Sequence, residues 1–93
     1  MNAIQLENFR TALLNVLEQR ASDRFGLNVN AVQIFLNTEG FRGSRREDIN
    51  AELQYLADKQ LVTTVGKVIS PENTCWRITA AGRDELAANK PNE

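Results

Sequence analysis

The chain has 93 residues, 42% of them hydrophobic and 25% charged, which suits one small globular domain with little room for a deep catalytic cleft. Eleven Lys and Arg face twelve Asp and Glu, a net charge of −1, so any surface that attracts a polyanion must be local. With no histidine and one cysteine, the chain lacks the commonest general base, the commonest metal ligand and any internal disulfide. No enzyme, metal or cofactor is therefore expected.

The first helix is predicted from Asn2 to about Arg20. Leu6, Phe9, Leu13, Val16 and Leu17 recur at three- and four-residue spacing, and Asn2 with Gln5 has the shape of a capping box. Ile4 and Leu14 fall off that face, where they meet either a second element or a dimer partner. The breakers Ser22, Asp23 and Gly26 make residues 21–26 a connector. Asn28 or Asn30 caps a second helix over 28–39, with Val29, Val32, Phe35 and Leu36 on one side. Gly40 then ends it in a left-handed turn, and Phe41 suits the hydrophobic contact that follows such an ending.

Ser44 with Glu47 forms an S-x-x-E box that opens a third helix over 44–60, with Ile49, Leu53 and Leu56 inward. That stripe leaves Glu47, Asn50, Ala51, Gln54 and Asp58 outward. Two β-prone segments follow, 61–68 and 74–78, joined by the turn sequence 69–73. Thr79 caps a last helix near 80–88 with Leu86 inward, and Gly82 permits close approach to a neighbour. Residues 90–93 fray. The predicted fold is mainly α, a three-helix core with a β-hairpin wing and a short C-terminal helix, in one domain over residues 1–89. Trp76 or Ile78 of the hairpin joins the core.

Asp48-Ile49-x-x-Glu52-Leu53-x-x-Leu56-x-x-x-x-Leu61-Val62 and Ile78-Thr79-x-x-Gly82-x-x-x-Leu86 carry a resemblance to the winged helix-turn-helix superfamily. In bacterial regulators of that type a recognition helix ends in "G-L-V" and an "L-T-x-x-G" element closes the wing. This chain has Gln60 in place of the Gly. Ser44-Arg45, Tyr55-Leu56-Ala57-Asp58-Lys59-Gln60-Leu61-Val62 and Thr79-Ala80-Ala81-Gly82 are also similar to short Mu-like phage and prophage winged-helix proteins. There Tyr55 stands for a Trp and Asp58 for a Glu. The resemblance implies a small phage-related regulator that binds double-stranded DNA, and the single cysteine with no secretory or membrane-spanning run makes a cytoplasmic location the expectation. Winged helices also serve as protein-interaction modules, which is the alternative.

The candidate contacts follow from how such a helix docks. Arg42, Ser44, Arg45 and Arg46 cluster at the entry to the third helix, where cations, hydroxyls and free backbone N–H groups meet phosphates and base edges. Asn50 and Gln54 can pair bidentately with adenine. Lys67 and Arg77 on the hairpin can reach flanking phosphate or the minor groove. Glu47, Asp48, Glu52 and Asp58 oppose this by making much of the same helix negative. The acid pairs Glu47-Asp48 and Asp84-Glu85 are expected in first helical turns, where they complement the dipole. Cys75 beside Trp76 is expected to be a buried structural thiol. There is no apolar run of membrane-spanning length, and Glu7 and Arg10 interrupt any secretory signal. Lacking a long dimerisation helix, the chain is expected to be a monomer or weak homodimer.

Overall fold

The computed structural model describes residues 3–22, 24–41, 45–66 and 73–89, with the side chains of residues 3, 4 and 89 outside the description. Among these are four helices and a small antiparallel sheet: α1 (Ala3–Arg20), β1 (Leu27–Asn28), α2 (Val29–Thr38), α3 (Arg46–Asp58), β2 (Val62–Val65), β3 (Cys75–Ile78) and α4 (Ala80–Asn89). The sheet order is β1-β3-β2. Val62 opposes Ile78 and Val65 opposes Cys75, while Leu27 opposes Trp76 across the other edge of β3. The hairpin is legible in the sequence, but β1 is not. Two residues beside a Gly are too few to show a strand period. No described helix is long and apolar enough to cross a membrane.

α1 lies at the centre, in contact with α2, α3, α4 and β3. Its single-stripe reading is therefore too narrow. Leu14 is buried along with Phe9, Leu13, Val16 and Leu17, so it belongs to the monomer's core and is not a dimer contact. The core continues through Val29, Val32 and Leu36 of α2, Ile49, Leu53 and Leu56 of α3, Trp76 and Ile78 of β3, and Leu86 of α4. Ile4 as a contact residue and Asn2 as a cap lie outside the described side chains.

The ends of the helices decide how the elements meet. The Asn28 side chain accepts from the Ala31 N–H at 2.8 Å and caps α2. At the far end Gly40 takes φ +99°, its N–H donates to Asn37 O, and the Phe41 N–H donates to Leu36 O. This is a Schellman ending. The Phe41 ring then packs edge-on against Phe9, 5.8 Å between centroids.

α3 departs from expectation at its start. Its N-cap is Arg45, with no side-chain cap hydrogen bond. The Ser44–Glu47 box is therefore out of register by one residue, since Glu47 is the second helical residue where the box needs the third. Glu47 and Asp48 do fall in its first turn. The first turn of α4 holds no acid, so Asp84-Glu85 do not serve its dipole as expected.

α3 ends in a second Schellman turn. The Gln60 N–H donates to Ala57 O and the Leu61 N–H to Leu56 O, both at 2.9 Å. Gln60 adopts φ +63° there, the only described non-glycine residue with positive φ. Thr79 locks this turn to the start of α4. Its N–H donates to Leu61 O, its hydroxyl donates to Gln60 O at 2.7 Å, and the same hydroxyl accepts from the Gly82 N–H. A Cβ on Gly82 would lie 2.1 Å from Leu61 O, so only glycine fits.

Two substitutions test this junction by urea denaturation. Gly82→Ala is expected to destabilise the fold by about 1–3 kcal/mol, because backbone must move to admit a methyl group. Gln60→Gly is expected to stabilise it by about 0.5–1 kcal/mol, the left-handed strain relieved less the extra entropy of an unfolded glycine.

Candidate nucleic-acid interface

α3 and the hairpin stand side by side, and an open cleft of about 380 Å³ lies between them. Asn50, Gln54 and Ala57 border it from α3, while Val62, Thr63, Thr64, Thr74 and Trp76 border it from the hairpin. The spacing explains the α3 side. Arg46, Asn50 and Gln54 recur every four residues and so form one strip along the helix. Strand alternation explains part of the hairpin side: Thr64 and Val62 pair with the buried Trp76 and Ile78, whereas Thr63, which also borders the cleft, pairs with Arg77 on the alternate face.

The lining mixes polar side chains with Ala57, Val62 and Trp76 and is uncharged among the described residues. Among those residues the side chains of Asn50, Gln54, Thr63 and Thr64 take no hydrogen bond from the rest of the protein. Trp76, which also borders the cleft, is 2% exposed, and its indole Nε1 is buried with no hydrogen-bond partner among the described residues. Carboxamides and hydroxyls along this concavity offer donors and acceptors that the described residues do not use.

The cations near the start of α3 differ from Arg10 and Arg83. Arg10 Nε donates to Glu52 Oε2 at 2.6 Å, and its guanidinium lies 3.8 Å from the Tyr55 ring centroid. The Glu52 hydrogen bond raises the Arg10 pKa above its ordinary value. Arg83 pairs with Glu18 at 2.8 Å. These arginines are neutralised on the α1 side of the molecule. Among the described residues Arg45 is exposed and carries no such pairing, and Arg46 donates only to the neutral Asn30 Oδ1 at 2.9 Å. That bond anchors Arg46 to α2, and no carboxylate among the described residues pairs with its charge.

Glu52 thus faces α1 and drops out of the negative strip that the sequence places on α3. Glu47, Asp48 and Asp58 remain exposed. Asp58 is at the C-terminal end of the helix, farthest from Arg45 and Arg46.

The structure brings Arg45, Arg46, Asn50 and Gln54 together on α3. Arg42, Ser44 and Lys67 lie outside the described residues. Arg77 is not brought to the cleft. It alternates onto the other face of β3, opposite Thr63, where its Nη1 donates to Ile78 O at 3.2 Å. Thr63, Thr64, Thr74 and Trp76 are the residues that sequence reasoning missed. The signal lies in the hairpin register, which pairs Thr64 with Trp76 on the α3-facing side. Cys75 is half-buried on the outward face, with Sγ 3.9 Å from Asn73 O, and is not a core thiol.

If Asn50 and Gln54 are held for binding and not for folding, Asn50→Ala and Gln54→Ala should each change unfolding free energy by less than about 0.5 kcal/mol in urea titrations. A loss above about 1 kcal/mol would assign them a structural role instead. The chain matches no family model, no curated protein and no solved structure.

Proposed function

We propose that the chain is a winged-helix protein that binds double-stranded DNA through α3 and the hairpin, acting as a small, phage-related transcriptional regulator. The observation that carries this reading is the strip Arg46-Asn50-Gln54. It runs from an uncompensated cation to two carboxamides with no partner among the described residues. Arginines at the N-terminal end of a helix suit phosphate and the groove entrance, and Asn and Gln one and two turns on suit adenine edges. The element order α1-β1-α2-α3-β2-β3-α4 supports it. The near-neutral net charge sets the affinity: few phosphate contacts, hence modest binding to a single site.

A second reading, a protein-interaction module, is favoured by Phe25 and Ile34, which are 69% and 56% exposed although large and apolar. They lie away from α3, in the connector before β1 and on α2.

Binding to a diverse pool of duplex fragments across a salt series separates the two. Arg45→Ala and Arg46→Ala should each weaken binding to all sequences and lower the salt slope by about one unit for every phosphate no longer neutralised. Asn50→Ala or Gln54→Ala should relax preference at one base pair, costing about 1–3 kcal/mol. Absence of binding by the wild-type chain even at low salt overturns the DNA reading in favour of the second.

A further inference from the structure

The cleft between α3 and the hairpin has more capacity than a helix lying in a groove would use. Asn50 and Gln54 are reachable from outside, but Thr64 is half-buried and Trp76 is sealed, with its Nε1–H unpaired among the described residues. Trp76 therefore borders the cleft as a reporter, while the groups a ligand can reach are the side chains of Asn50, Gln54 and Thr64.

We infer that this cleft is a binding site for the uncharged, planar, hydrogen-bonding edge of an unpaired nucleobase. The inference rests on the DNA-binding reading for the source of that base. Three observations converge on it. The lining among the described residues is uncharged, so a phosphate, carboxylate or ammonium entering it would lose hydration with no counter-charge. Carboxamides and hydroxyls supply donors and acceptors side by side, the pattern that a base presents on its Watson–Crick edge. The volume of about 380 Å³ admits one base, within the range of small-molecule sites. A base held in a duplex stack keeps that edge occupied and cannot enter between helix and strand, whereas a bulged or mismatched one is extruded at least cost. Filling the cleft would also supply affinity that a chain of net charge −1 does not draw from phosphates.

The single tryptophan makes the test direct, because all indole emission reports on this cleft. The full chain is titrated with a duplex carrying one bulged nucleotide, with the same duplex fully paired, and with free deoxynucleosides. The bulged duplex is expected to bind about tenfold more tightly, the worth of one or two added hydrogen bonds, with a saturable change in Trp76 emission. Thr64→Val, which keeps the strand's shape, is expected to shrink that ratio. Equal affinity for the two duplexes overturns the proposal, and so does a bulge preference that leaves the emission unmoved. If neither duplex binds, the DNA reading fails and the nucleosides decide the cleft. A saturable emission change keeps it as a nucleobase site, and none overturns it.

Discussion

The position of the cleft depends on one turn, Lys59-Gln60-Leu61, at the end of α3. Gln60 accepts a left-handed backbone so that Leu61 can turn back against Leu56 O. That sets β2 alongside the helix it has just left. Thr79 and Gly82 then clamp the turn from the other end of the hairpin, through the carbonyls of Gln60 and Leu61. Helix, hairpin and α4 therefore meet at one small set of backbone contacts. A shift there changes the distance between Asn50 and Thr64 directly, since the two residues sit on the elements that the turn joins.

The distribution of charge matters more than its sum. Arg10 and Arg83 are tied to Glu52 and Glu18, and Arg20, Arg24 and Lys59 lie over aromatic rings. The exposed Arg83–Glu18 pair adds little stability, whereas Arg10–Glu52 is partly buried. A ring contact leaves a cation its charge, so among the described residues only Arg10 and Arg83 are paired with carboxylates, while Arg45 and Arg46 lie at the N-terminal end of α3, where the helix dipole is also positive. Glu47 and Asp48 sit in that same turn and temper the field. In the proposed complex, orientation therefore falls to Arg45 and Arg46 and discrimination to the cleft.

Much of the fold is legible in the sequence because local signals agree with the packing. Asn28, Gly40, Thr79 and Gly82 each have a local reason to be where they are, and each is in that role. The departures have physical causes. A single stripe fitted to α1 leaves Leu14 off the core, because that helix is surrounded on several sides. The α3 capping box slips because a matching sequence pattern does not fix which residue becomes the N-cap. The candidate site is half legible: α3's outward strip follows from its helical period, but the hairpin's share depends on cross-strand register. Arg77 shows the limit most plainly, since one step along β3 moves a side chain to the opposite face of the sheet.

Backbone amide chemical shifts followed during titration with duplex DNA give the sharpest test of the α3–hairpin interface, because they locate it without relying on any substitution. The largest perturbations are expected at Arg45, Arg46, Asn50, Gln54, Thr63 and Thr64. Perturbations centred instead on Glu7, Tyr55 and Glu85, across α1, α3 and α4 on the opposite flank, would contradict it.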